Sequence, residues 1–370
     1  METSGGQRGV RPRPFRDLYA GTVRSRMSTD SPDSDSIDAT DPIDSTDPAD
    51  PEPTEPTATN SESPSRGNVM LAIDINGDRF EAGLVTAKGE LIDRASVPVE
   101  PDVGPESHYT ALAMMVSELK DVAERHHRVR VRAVGVGCEG PGARGLEKVS
   151  PAGLTSWRDF PLRSRLEELT GLAVFGDLDA KVLALAEGWL GAAQGHPDFC
   201  VITVSTAIAG GIVVDGDLLE GESGYAGHVG HLIVEPAGRR CRCGAQGCLD
   251  AEASGQAIEA ITGRPPSEPT YEIMQRTGHL VGRAAAMVCN VFDLTLVVVG
   301  GTVASGFGAT FFHAAQVTLD ENARPAYSRG ARITPSRLGE TGPIIGAGAL
   351  AWRGVRRASR RNRVQPPNAR

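Results

Sequence analysis

Apolar and polar positions follow two rhythms along residues 68–352. VMLAID (69–74) is an unbroken apolar run that stops on an acid, the pattern of a strand buried on both faces. A glycine-containing turn follows, and FEAGLVT (80–86) reads as its antiparallel partner. Between 107 and 127 the spacing changes: Leu112, Met115, Leu119 and Val122 recur at helical intervals. VRAVGVGC (131–138) is again strand-like. PLRSRLEELTG (161–171) is a helix with Pro near its start and Gly as its stop. AVFGD (173–177) predicts a short strand and 180–193 a helix. CVITVST (200–206) and GGIVVDGDLLEG (210–221) predict strands and a hairpin turning at Asp215-Gly216. A helix over roughly 271–291 precedes the strand LTLVVVG (294–300). A further helix, a strand near 332–338 and a final helix from about Pro343 complete the pattern. Repeated strand–helix alternation without a tandem repeat indicates an α/β fold with layered sheets.

Composition separates the ends from this body. Residues 1–66 are rich in Asp, Ser, Thr, Pro and Glu, and from Asp30 to Ser65 the only large aliphatics are Ile37 and Ile43. Such a segment buries too little apolar surface to offset backbone ordering, so disorder is expected, and Met27 is an alternative start to Met1. The net charge of −9 is uneven: +4 over 1–26, −11 over 27–65 and +7 over 353–370, leaving −9 for the rest. An acidic body argues against nucleic acid as the main ligand. The basic 353–370 tail is expected to be a solvated end, contact with RNA or acidic lipid being the lesser alternative. No apolar run approaches the ~20 residues of a membrane span, and no signal segment opens the chain, so a reducing cytoplasm is the expected setting. The length of 370 residues allows two domains.

Three of the six cysteines crowd into HLIVEPAGRRCRCGAQGC (231–248). One imidazole, His231, and three thiols, Cys241, Cys243 and Cys248, match a closed tetrahedral structural Zn²⁺ site. Arg239, Arg240 and Arg242 would help keep the thiols ionised, and Gly244 and Gly247 let the loop fold back tightly. Free thiols in a loop and a nucleic-acid zinc knuckle are the alternatives, the knuckle being weakened by the lack of aromatics.

AGHVGHLIVEPAGRRCRCGAQGCLDAEASG (226–255) resembles the signature of the ROK family of repressors, open-reading-frame products and sugar kinases. The resemblance extends over about 68–352, through LAIDINGD, the GPG at 140–142, the DLDA segment, TVSTAIAGG (203–211) and VVVGGTVA (297–304). It implies a two-lobed actin/hexokinase-like ATPase fold with a structural zinc loop. The expected lobes are 67–178 and 179–352, the final helix packing back on the first. ATP and Mg²⁺ would lie against one lobe and a sugar at the bottom of the cleft, in a homodimer.

On this resemblance Asp179 is the catalytic base for a sugar hydroxyl. From the residues alone a helix N-cap is the first reading and a base the second, and both can hold together. Asp74 would meet Mg²⁺ through water, beside a first phosphate loop that reads Asp74-Ile75-Asn76-Gly77-Asp78-Arg79 where the family has D-I-G-G-T-K. Asp78 puts negative charge near phosphate, which Arg79 could offset; direct Mg²⁺ ligation and a surface turn are the other readings. The second loop keeps Thr206 and Gly210, but Ser205, Ala207 and Ala209 replace smaller residues. Gly300 and Gly301 fit the nucleotide-side loop. Sugar-contact positions read Gly153, Leu178, His228 and Asp250 where the family has Asn, Asn, Glu and Glu. His228 either meets a hydroxyl or packs as a neutral core histidine. Two functions follow: an ATP-dependent sugar kinase of glucokinase type, or a sugar- or nucleotide-sensing pseudokinase. A repressor would need a helix-turn-helix that residues 1–66 do not offer, so no DNA-binding domain is expected.

Overall fold

The computed structural model describes residues 67–364, with side chains as far as 360. The first sheet holds β1 (Asn68–Ile75), β2 (Arg79–Thr86), β3 (Leu91–Pro98), β4 (Arg130–Cys138) and β5 (Val174–Leu178), in the order β3-β2-β1-β4-β5. β1, β4 and β5 run parallel, while β2 lies antiparallel to β1 and β3. The apolar run of β1 is buried from Val69 through Ile75, as a strand covered on both faces must be. α1 (Pro105–Arg125) and α2 (Leu162–Thr170) pack on this sheet, α1 through Leu112, Met115, Val116 and Leu119. Gly171, at φ +67°, ends α2 with a left-handed cap that a residue with a Cβ would strain.

The second sheet comprises β6 (Phe199–Val204), β7 (Ile208–Val214), β8 (Asp217–Leu218), β9 (Leu296–Gly300) and β10 (Arg332–Pro335), in the order β10-β9-β6-β7-β8. β6, β9 and β10 are parallel. α3 (Asp179–Trp189) packs on β6 and β7. α6 (Tyr271–Phe292) and α7 (Thr302–Asn322) pair with each other against β9. The short α4 (Leu249–Ala253) and α5 (Gly255–Thr262) follow the cysteine-rich loop. The last helix, α8 (Gly342–Val364), lies against β1, β4 and α3 and so joins the two sheets. It approaches β4 so closely that a methyl group on Gly135 would collide with the Ala347 carbonyl.

Four features depart from the sequence expectations. The strand β3 and the helices α4 and α5 have no forecast counterpart. The boundary at 352 falls inside α8, and Arg353 is buried with its guanidinium 2.6 Å from Asp217 Oδ1. The helix therefore carries the first basic residues of the tail as structure rather than as a frayed end. The expectations for residues 1–66 lie outside the described residues, among which no helix is long and apolar enough to cross a membrane.

A buried carboxylate fastens the turn before α8. Glu187 Oε1 accepts from Ser336 Oγ at 2.6 Å and from the Arg337 and Leu338 N–H groups at 3.2 and 3.4 Å. Its Oε2 accepts from Ala192 N–H at 2.6 Å. Truncating an acceptor that serves several buried donors leaves each of them unpaired, at about 1–3 kcal/mol apiece. Glu187→Ala is therefore expected to lower Tm by about 10 °C or more, and Glu187→Gln by less, in a thermal melt monitored by circular dichroism.

Candidate active site

Parallel strands bring their carboxyl ends to one edge, and there both sheets carry their polar groups. In the first sheet Ile75, Cys138 and Leu178 stand in register, so the residues around them converge. Asp74 is almost fully buried at the end of β1. Its Oδ2 accepts from Asn76 Nδ2 at 2.5 Å, whereas Oδ1 has no hydrogen-bond partner. Burial, followed by repulsion from Asp179, pushes the Asp74 carboxyl up to about 8. Asp179 opens α3 directly after Leu178, and its Oδ1 accepts from the Ala180 N–H at 2.6 Å. It is the first helical residue rather than the N-cap, a position Leu178 occupies. Burial is also the main force pushing the Asp179 carboxyl up to about 6, with Glu139 adding repulsion. The Cys138 thiol between these carboxylates is raised well above its ordinary range, chiefly by burial, and stays protonated.

The turn after β1 places Asp78 outward, its side chain 69% exposed and 3.2 Å from Arg79 Nε. Gly77 behind it presses on the Gly153 backbone, where a methyl group would approach to 2.6 Å. Gly153 in turn donates its N–H to Glu139 Oε2 at 2.9 Å. Gly77, Gly153 and Glu139 thus form one packed unit.

In the second sheet the carboxyl ends of β6 and β9 lie side by side. Ser205 Oγ and Thr302 Oγ1 are 2.9 Å apart, linking the loop before β7 to the N-terminus of α7. Gly301 sits at φ +99° against the Val204 backbone, where a Cβ would approach the Val204 carbonyl oxygen to 2.3 Å. Thr206 is exposed on the adjoining loop, and a helix N-terminus beside it suits an anion. Gly300 is the buried end of β9. Gly210 lies buried within β7, its missing Cβ making room for the Gly227 and Val201 carbonyls.

His231, Cys241, Cys243 and Cys248 come together with their donor atoms all within 4.8 Å of one another. Cys241 Sγ lies 3.7 Å from His231 Nδ1, and Cys243 Sγ lies 3.7 Å from Cys248 Sγ. Tetrahedral ligands on bonds of about 2.3 Å stand about 3.7 Å apart, so the set fits a Zn²⁺-sized ion. The hairpin that shapes it needs Gly247, at φ +76° and abutting the Glu235 carbonyl. Just beyond Cys248, Asp250 is buried and accepts from the Ile208 N–H at 2.8 Å. Arg242, between two of the cysteines, reaches to 3.7 Å from Asp250 Oδ2 and attracts Glu139 from across the cleft. His228 stacks on His231, ring centroids 4.9 Å apart, and its Nδ1 is buried without a partner. Tyr225 ties this side to the first lobe through Gly142, accepting its N–H at 2.8 Å and donating to its carbonyl at 3.0 Å.

Sequence reasoning passed over Glu139 and Lys181. Glu139 carried a usable signal, an acid ending a strand just before Gly-Pro. Lys181 did not, because its burial is explained by partners the sequence does not bring together: Asp177 and Glu220, 2.9 and 3.3 Å from its Nζ, and the Gly224 carbonyl at 2.9 Å.

Comparison with known proteins agrees with this arrangement. The ROK family model matches residues 70–353. A glucokinase of Halalkalibacterium halodurans is 28% identical over 317 residues, 76% of this chain and 94% of that protein. An N-acetylmannosamine kinase of Escherichia fergusonii is 35% identical over 248 residues, 63% of this chain and 82% of that protein. The crystal structure of a ROK family glucokinase from Streptomyces griseus, in complex with glucose and AMPPNP, superposes with a TM-score of 0.65 at 26% identity. That match covers 77% of this chain and all of that one. With a family match over most of its length and the two-sheet fold to support it, the chain belongs to the ROK family.

Proposed function

We propose that the protein is an ATP-dependent sugar kinase that transfers the γ-phosphoryl group to a hydroxyl of a hexose or N-acetylhexosamine. The observation that carries the reading is Asp179. It is a partly exposed carboxylate where β5 of the first sheet passes into the helix α3 that packs on the second, close to Asp74 and Glu139. In this reading Asp179 accepts the proton of the attacking hydroxyl, whose oxygen then bonds to phosphorus. His228 and Asp250 line the sugar side, and Gly153 closes it. Gly77, Arg79, Thr206, Gly300 and Gly301 border the phosphates. The unpartnered Asp74 Oδ1 suits a hydrated Mg²⁺, which when bound with ATP would neutralise charge on the phosphates. His231, Cys241, Cys243 and Cys248 would hold a structural Zn²⁺, whose thiolate ligands suit a reducing compartment. A homodimer would cover the exposed Met287, Val291 and Phe292 at the end of α6.

ADP release by the purified full chain with Mg-ATP, against a panel of hexoses and N-acetylhexosamines, tests the reading. Sugar-dependent turnover is expected. No turnover with any sugar, in folded and zinc-loaded protein, would overturn it.

The first phosphate turn supports a second expectation. Asp78 is solvated and paired with Arg79, so its repulsion of phosphate is on the order of 1 kcal/mol. Asp78→Thr should therefore lower the KM for ATP about fivefold and leave kcat nearly unchanged, the gain shrinking as salt is raised.

A further inference from the structure

We infer that Glu139 is a specificity-determining residue whose carboxylate accepts a hydrogen bond from a sugar hydroxyl, in the space that residue 153 leaves without a side chain. The inference rests on the sugar-kinase reading and adds a residue to it.

The geometry is specific. Glu139 directly follows β4, and its N–H is held by the Ile75 carbonyl at 3.1 Å, so its side chain starts from a fixed point. Oε2 is occupied by the Gly153 N–H, while Oε1 accepts no hydrogen bond among the described residues. A methyl group built on Gly153 would stand 2.8 Å from Oε2 and 2.8 Å from the Gly77 Cα. No side chain can occupy that volume while the carboxylate holds it. Glu139 thus supplies the acceptor that a larger residue at 153 could have offered.

The surroundings fit a sugar contact better than a structural tie. Burial raises the Glu139 carboxyl, the Gly153 hydrogen bond and Arg242 oppose that rise, and Asp78 adds to it. Arg242 also reaches Asp250. Glu139 therefore lies near Asp179 at the head of α3 and near Arg242 of the cysteine-rich loop, which in turn reaches Asp250. Oε1 is open to solvent in a half-buried residue, so it can take a hydroxyl donor, and a bound sugar would desolvate it. A site with an acceptor left unmet discriminates strongly against an analogue that lacks the matching hydroxyl.

Sugar affinity and steady-state kinetics of the wild type, Glu139→Ala and Glu139→Gln test this, using the best sugar of the panel and its mono-deoxy analogues. Glu139→Ala should weaken sugar binding and raise the sugar KM about thirtyfold, with the ATP KM unchanged and kcat within threefold. Glu139→Gln should fall between. One deoxy analogue should bind the wild type at least tenfold more weakly than the parent sugar, and the Ala variant should no longer distinguish the two. A merely structural Glu139 would not erase the penalty of one analogue alone. An unchanged sugar affinity, or equal penalties for every analogue in both proteins, overturns the inference, as does a wild type that binds no sugar. Sugar binding without turnover overturns the kinase reading instead, and the affinities still decide the role of Glu139.

Discussion

Replacing Asp179 by asparagine should remove phosphoryl transfer almost completely, a fall in kcat of about 10²–10⁴ with the sugar affinity changed only a few-fold. Asparagine keeps the shape and the hydrogen bond to Ala180 N–H but cannot take up a proton. The pH profile gives an independent check. With the Asp179 carboxyl at about 6, the base is ionised above that pH and protonated below it. The rate should be level above pH 6 and fall about tenfold per unit on the acid side. Glu139 contributes to that position, so its removal should move the acid limb downward. The same shifts bear on stability. Both Asp179 and Asp74 have folded values above the ordinary carboxylate range, so the folded protein holds more protons than the unfolded chain between about pH 4 and 8. Their contribution favours folding at low pH and is lost as pH rises through that window. Asp179→Asn should therefore be no less stable than the wild type at pH 8. A variant that keeps more than a tenth of wild-type turnover would sink the assignment of Asp179 as base.

How much of this was legible beforehand depended on whether the cause was local. β1, β4 and β9 were visible because strands buried on both faces are written as apolar runs. The cysteine-rich loop was visible because its ligands and glycines lie within 18 residues. β3 was missed because LIDRASVP is an edge strand whose alternation is diluted by Asp93 and Arg94, groups held by His127 and Glu81 from elsewhere. The boundary at 352 was misplaced because a run of arginines reads as solvated, whereas Asp217 pairs with Arg353 and Arg357 and lets the helix continue. Asp179 was legible as a candidate, but its separation from the N-cap position depends on the φ and ψ of Leu178. Glu139 was legible as an acid at a strand end, but its packing on Gly153, 14 residues on, was not.

Loss of the metal should cost the second lobe its order and the site its shape. The reason lies in a chain of contacts that starts at the cysteines. Cys248 is followed at once by α4, whose Asp250 accepts from Ile208 N–H at the start of β7. Gly255 and Gln256, at the head of α5, donate their N–H groups to the Ser205 and Thr206 carbonyls at 2.8 and 3.2 Å. The loop that carries Thr206 is thus held from behind by two short helices, and these begin where the ligand cluster ends. Glu252 of α4 also bonds the Arg239 N–H and the Arg276 guanidinium, anchoring the same hairpin to α6. Without an ion, three thiols and an imidazole packed within 4.8 Å would be held only by the hydrogen bonds of the hairpin. Structural Zn²⁺ contributes folding free energy directly, and a loss of about 7–9 kcal/mol corresponds to a Tm lower by about 11–14 °C in a protein of this size. We expect one zinc per chain by elemental analysis. Cys248→Ser should bind none, melt at least 10 °C lower and retain under 1% of the sugar-dependent ADP release. Chelation of the wild type should reproduce both losses, and Zn²⁺ should reverse them before aggregation sets in. Full activity and an unchanged melt in zinc-free protein would show instead that Asp250 and the Gly255 backbone hold the Thr206 loop without help from the cluster.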